Sequence, residues 1–221
     1  FDPRNIQPPG QRRTGPQLHR ALFGPGKDDG KRVWIPGGFF WMGSDTGFPD
    51  ERPRRRVYVK GFFIDKYEVT SRRFRAAGMK PAHSYGLRFE APRLPLAGVT
   101  WFQADAYCKK MGKRLPAEAE WEKAARGGDN RVFPWGDNWN PGLANDSNLG
   151  PMPVGSFARG ISPYGVHDMA GNVWEWVSDR YDPKKGGNGA EAPRVVRGGA
   201  WGFHATYLRS AYRRMGGPRF R

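Results

Sequence analysis

The sequence predicts an α+β fold with little regular secondary structure and long loops, and three observations lead there. The 31 glycines and 20 prolines among 221 residues impose frequent turns and argue against a helical bundle. Hydrophobic residues make up only 38% while aromatics reach 14%, with nine tryptophans, so the core is built from few large rings. Strand-like runs are short and bounded by turn residues, and only two modest stretches carry helical periodicity. The length suits one full domain.

Residues 1–31 are rich in Pro, Gly and charge without periodicity. They are expected to form an extended arm, ordered only by lying on a partner or on the domain, which occupies 32–221. Val33-Trp34-Ile35, Pro36-Gly37-Gly38 and Phe39 to Ser44 read as strand, turn, strand. Arg56 to Lys60 and Phe62 to Asp65 add further strand, and Glu68-Val69-Thr70 opens a short helix through Phe74. Thr100 and Gln103, three apart, make a capping box in which each side chain satisfies an amide of the first turn. Trp101, Ala104, Cys108 and Met111 then share one face until Gly112 stops the helix. A second helix follows Pro116 through Ala125 and ends at Gly127-Gly128. Beyond 130 turn signals dominate, and only 173–177 and 194–197 read as strands.

The formal net charge is +16. Arginine concentrates at 52–56 and at 194–221, where seven Arg occur without Asp or Glu. No helix-turn-helix, RRM or zinc-finger spacing accompanies them, so specific nucleic-acid readout is not expected. A solvated basic face fits the pattern, as does docking onto an acidic protein, anionic lipid or polyanion. The single cysteine, Cys108, permits neither an intrachain disulfide nor a cysteine-based metal site. No run of 18 apolar residues is present, so no transmembrane helix is expected. The chain begins at Phe1, which predicts a processed N-terminus or preceding residues, with any signal peptide already gone.

An ordered series of local strings resembles the formylglycine-generating enzyme, or sulfatase-modifying factor, family. The strings are Ile35 to Ser44, Val57 to Thr70, Val99 to Gly128, Pro134-Trp135-Gly136, Pro153 to Phe157, Gly171 to Trp176 and Arg197-Gly198-Gly199-Ala200-Trp201. The resemblance implies a C-type-lectin-like α+β domain, often stabilised by calcium. The family includes copper-dependent oxidases that convert a sulfatase cysteine to formylglycine, and cysteine-less paralogues. It also includes the second domain of iron sulfoxide synthases and variable ligand-binding proteins. Such a fold settles function far less than structure.

The family's oxidases need two thiolates, five residues apart, shortly after a strand resembling Arg197 to Trp201. Soft thiolates suit Cu(I). Phe203 and Leu208 stand near those positions, and no cysteine follows Cys108. Copper chemistry and formylglycine-generating activity are therefore not expected, and no catalytic residue is assigned. Cys108 reads as a small buried hydrophobe. His19, His83, His167 and His204 show no metal spacing. The separate helical domain of the sulfoxide synthases, with its histidine triad, has no counterpart in these residues.

Carried over residue by residue, the family's calcium loop falls on Asp168 to Glu175. Asp168 and Glu175 would supply carboxylates, Gly171 and Val173 backbone carbonyls, a hard oxygen set suited to Ca²⁺. A turn closed by hydrogen bonds without metal is the alternative. A second family site would use Asn145 and Asp146, but its loop is shortened between Ser147 and Pro151. The tryptophans of these strings are expected to be mostly core.

Three functional readings stand. In the first, the domain is a non-catalytic binding or accessory subunit of a larger extracytoplasmic or membrane-associated complex, periplasmic or extracellular. Its partner would carry an acidic surface. Gly202 to Arg221 would then be the recognition surface, with His204 and Tyr207 beside the planar forks of Arg209, Arg213, Arg214 and Arg219. In the second, the cleft serves an enzyme with a different metal site. In the third, the fold binds a carbohydrate or small ligand. The family usually closes on a Gly-Phe-Arg-like strand and an apolar residue or two. The ending Gly217 to Arg221 is either a variant of that or is followed by more chain.

Overall fold

The computed structural model describes residues 31–146, 149–182 and 189–220. The arm expected over 1–31 lies outside the described residues, apart from Lys31. The regular elements are β1 (Arg32–Ile35), β2 (Gly38–Met42), β3 (Arg55–Val59), β4 (Phe62–Asp65), α1 (Ser71–Ala76), α2 (Trp101–Lys110), α3 (Glu118–Arg126), β5 (Glu175–Arg180), β6 (Arg194–Arg197) and β7 (Arg214–Gly216). Turns and loops connect them, as the glycine and proline content requires.

Three small antiparallel sheets result: β1 with β4, β2 with β3, and β5-β6-β7. The strand, turn, strand at 33–44 is not a hairpin. β1 pairs Arg32 with Asp65 through Ile35 with Phe62, and β2 pairs Gly38 with Val59 through Met42 with Arg55. Two nested ladders form because both connections turn at glycine. A Cβ on Gly37 would stand only 2.9 Å from the Gly61 nitrogen, so the two turns pack back to back. β5 begins at Glu175 rather than Val173, because Gly171 and Asn172 adopt positive φ and hold the preceding residues in a turn.

Thr100 caps α2 as its sequence predicts. Its hydroxyl accepts from the Gln103 amide at 3.2 Å, and Gln103 Oε1 accepts from the Thr100 amide at 3.4 Å. Thr100→Ala should lower stability by about 1 kcal/mol, read as a fall in urea midpoint with unchanged slope. An unchanged midpoint would mean the cap does nothing for the fold. Along α2 the expected apolar face is only half-buried, and Tyr107, packed on Phe74 at 5.3 Å, is the most enclosed residue. The reason is a cavity of about 580 Å³ against which Ala104, Tyr107 and Cys108 abut.

α3 runs through the middle of the core. Trp121 is fully buried among Ile35, Phe40, Met169, Val177 and Val195. Glu118, Glu122, Lys123 and Arg126 are buried as well, which requires partners. Glu118 pairs with Arg197 and Arg213, and the other three find partners along the chain passing through β2. Lys123 Nζ donates to the Gly38 carbonyl at 2.9 Å, and Arg126 donates to the carbonyls of Trp41 and Gly43. Glu122 Oε1 accepts from the Gly43 amide at 2.7 Å. Lys123, Arg126 and Glu122 of α3 thus bond backbone groups of β2 and of the residue after it. Among the described residues no helix is long and apolar enough to cross a membrane.

Candidate functional site: an acidic turn beside an aromatic cluster

The turn from Asp168 to Glu175 is held from several sides. Asp168 (φ 58), Gly171 (φ 80) and Asn172 (φ 64) all take the left-handed conformation. Asn172 is the hub. Its Oδ1 accepts from Asn145 Nδ2 and from the Met152 amide, both at 2.9 Å, and its Nδ2 donates to Glu68 Oε2 at 2.7 Å. Its amide donates to the Asn145 carbonyl and its own carbonyl accepts from Trp201. Such a fully satisfied polar network specifies one geometry. Gly171 bridges Asn145, and a Cβ there would collide with the Asn145 carbonyl. Gly171→Ala should therefore cost more than about 2 kcal/mol, from backbone strain and collision together. A variant melting within a degree of the parent would show that the turn is not built this way.

The structure brings Asp168, Val173 and Glu175 to one region and adds Glu68, which the sequence reading missed. Glu68 accepts from Asn172 and from the Val173 amide at 3.2 Å. Asp168 accepts from the Gly155 amide at 2.7 Å, and Glu175 accepts from Trp121 Nε1 at 3.0 Å. None of the three carboxylates forms an ion pair among the described residues. Burial pushes Glu175 up to about 7, with the charge of Asp168 adding to it. Burial likewise lifts Asp168 to about 6 against the Gly155 hydrogen bond. Glu68 is raised well above the ordinary range by burial and then by its two acidic neighbours. Glu175 is half-buried and borders the cavity of about 580 Å³ that reaches α2.

Among the described residues no three His, Cys, Asp or Glu side chains converge closely enough to hold a metal unaided. Backbone carbonyls would have to complete any cation site, and beside Gly198 the Val173 carbonyl and the Glu175 carboxylate come near one another. The missing Cβ of Gly198 would fall 3.8 Å from the Val173 carbonyl oxygen and 3.9 Å from Glu175 Oε1. Asn145 is buried in the Asn172 network, whereas residues 147–148 of the second expected loop lie outside the described residues.

Where the family's thiolates would stand, the chain is filled with rings and aliphatic groups. Leu208 is fully buried and packs with Ala144, Ala170, Trp135, Trp139 and Phe203. Phe203 meets Trp174 edge-on at 5.2 Å, and Tyr207 packs against Phe48, Phe203 and Tyr212. His204 caps the short turn Ala205–Tyr207 through Nδ1 and is exposed. Cys108 lies far along the chain on α2, its thiol pushed up to about 12 chiefly by burial.

Two of the arginine forks point inward. Arg209 makes a bidentate pair with Glu51 at 2.6 and 2.8 Å, and Arg213 does the same with Glu118 at 2.8 and 2.9 Å. Arg219 pairs with Glu191 at 2.6 Å. Arg214 lies over Trp174 and Phe203, 5.4 and 5.5 Å from their centroids. Three of the four forks expected to face a partner are thus engaged within the chain.

Residues 23–221 match the sulfatase-modifying factor enzyme 1-like domain. The inactive C-alpha-formylglycine-generating enzyme 2 of Mus musculus is 33% identical over 78% of this chain and 75% of its own length. The serine/threonine-protein kinase pkn1 of Chlamydia caviae is 33% identical over 84% of this chain, which spans only 35% of that kinase. Among solved structures, PvdO from Pseudomonas aeruginosa is 30% identical, with a TM-score of 0.74 over 88% of this chain and 91% of that one. Small sheets, short helices and long loops agree with these matches. The chain belongs to the family of the formylglycine-generating enzymes and sulfatase-modifying factors.

Proposed function

We propose that this domain is a non-catalytic binding module, an accessory part of a larger assembly whose partner presents an acidic surface. The observation that carries the reading is the filling of the thiolate region. Leu208 is fully buried in an aliphatic and aromatic cluster, Phe203 packs edge-on against Trp174 and Tyr207, and no cysteine follows Cys108. A relative named as inactive and a kinase three times longer that contains a similar stretch both support it. The test is incubation with copper and a peptide carrying a sulfatase-type cysteine, followed by aldehyde detection. No aldehyde is expected, and turnover would overturn the reading.

The same proposal includes calcium at the acidic turn, held by the carboxylates of Asp168 and Glu175 and the carbonyls of Gly171 and Val173. Buried Glu68 and Asp168 and partly buried Glu175, none ion-paired among the described residues, and the Val173 carbonyl near Glu175 beside Gly198 support it. When bound, calcium supplies positive charge that offsets the buried acids. A hundredfold excess of calcium over its Kd should stabilise the fold by about 2.7 kcal/mol. Identical melting in calcium and in chelator would exclude the ion.

A second reading, a small-ligand receptor, is favoured by the cavity. At about 580 Å³, with Trp34, Phe63, Phe74 and Trp176 in its walls, it has the size and lining of a ligand pocket. Native extraction followed by mass analysis should then release a stoichiometric small molecule; an empty pocket in freshly isolated protein would count against it.

A further inference from the structure

The outer face of the β2–β3 sheet is built unlike the rest of the surface. Phe39 and Trp41 on β2 and Tyr58 and Arg56 on β3 share it, through the register Phe39 opposite Tyr58 and Trp41 opposite Arg56. The rings are exposed at 56% for Phe39, 41% for Trp41 and 58% for Tyr58. They are ordered against one another: Phe39 and Tyr58 meet edge-on at 5.2 Å, Arg56 lies 4.3 Å over Phe39, and Arg54 lies 5.0 Å over Trp41. Arg52, Arg55 and Lys60 are exposed alongside. Asp45, paired with Arg54 at 3.1 Å, offsets one of these charges. Two other nearby acids are engaged elsewhere, Glu51 with Arg209 and Asp50 with the Tyr181 hydroxyl.

We infer that this face, rather than the C-terminal arginines, docks the acidic partner, and that the partner contributes an acidic polypeptide segment with an apolar anchor. The placement rests on the binding-module reading. Trp, Tyr and Arg are the side chains that concentrate binding energy in protein interfaces, and here they are already ordered. A guanidinium over a ring can still offer its N–H groups to carboxylates, and Arg56 is exposed whereas the forks of Arg209 and Arg213 are largely buried against Glu51 and Glu118. A guanidinium already occupies one face each of Phe39 and Trp41, which leaves fewer open faces for base stacking by single-stranded nucleic acid. Arginines lying on the rings also oppose burial of those rings in a bilayer.

The experiment uses the full chain with a fluorescein-labelled peptide alternating Asp or Glu with Leu and Phe, its Asn and Gln counterpart, and phosphatidylglycerol vesicles. The acidic peptide should bind at least tenfold more tightly than its neutral counterpart. The R54E/R56E and Phe39→Ser/Tyr58→Ser variants should each weaken it at least tenfold with unchanged melting, all four residues being on the surface. Equal affinity in R54E/R56E overturns the inference. So does vesicle binding that R54E/R56E abolishes, or self-association through this face. A native complex that survives R54E/R56E refutes this placement alone, whereas failure to find any complex of the parent protein refutes the binding-module reading beneath it.

Discussion

Replacing Arg197 by methionine should cost at least about 3 kcal/mol and leave little folded protein at 37 °C. Arg197 is fully buried on β6, where its guanidinium donates to Glu122 at 2.6 Å and to Glu118 at 3.3 Å. It also donates to the carbonyls of Ser210 and Ala211 at 2.7 and 3.0 Å, tying the segment before β7 to α3. Burial alone would raise Glu118, but Arg197 and Arg213 hold it below its ordinary range. Without Arg197, Glu122 keeps Arg126 at 2.9 Å, and Glu118 keeps only Arg213. A buried charge that loses its partner is far more costly than the pair was stabilising. Lysine should rescue poorly, because one ammonium cannot reproduce the planar fork. Adding Glu122→Gln to Arg197→Met should recover part of the loss, since it lowers the charge on the side chain whose Oε2 Arg197 had paired. Urea unfolding of the single and double variants checks this; a single variant within about 1 kcal/mol of the parent would show that the network is dispensable.

The second large effect is on pH. In the presence of chelator the protein should lose about 3 kcal/mol of stability between pH 5 and pH 8. The sign follows from the carboxylates of the acidic turn. Glu175 is raised from 4.5 to about 7 and Asp168 from 3.8 to about 6, both chiefly by burial. Groups raised in the folded state keep protons that the unfolded chain releases. Their contribution is full below the unfolded values, near 4, and is lost as the pH rises through 6 and 7. At about 1.4 kcal/mol per pKa unit the Glu175 displacement alone is worth roughly 3 kcal/mol, and the coupled neighbours do not simply add. Calcium, if bound, favours the ionised carboxylates, so its stabilisation should grow across the same window. Chelated protein whose stability is flat or rising from pH 5 to pH 8 would contradict the account.

Elements were legible where a local rule fixes them. The Thr100 capping box, the helix after Pro116 and the strand at 194–197 all stand where their residues place them. β7 was not legible, since three residues, Arg214–Gly216, carry no period. Nor was the pairing of β1 with β4 and β2 with β3, which depends on two glycine turns packing against each other. The acidic turn was half legible. Asp168 and Glu175 came from the family string, but Glu68 lies 104 residues before Asn172, to which it binds. Only the closed fold brings them together. The arginines mark the limit most clearly. A charge run predicts a basic surface, yet Arg209 meets Glu51 158 residues away and Arg213 meets Glu118 95 residues away. No local pattern announces such partners, so the free cationic face moved from the C-terminal segment to β2 and β3.

The central claim, that this family member binds and does not oxidise, is tested most directly by native mass spectrometry of the protein purified from its own source, with metal analysis of the same sample. A stable complex with an acidic protein partner, carrying stoichiometric calcium and no copper, is the predicted result. A monomer holding a redox metal would contradict it.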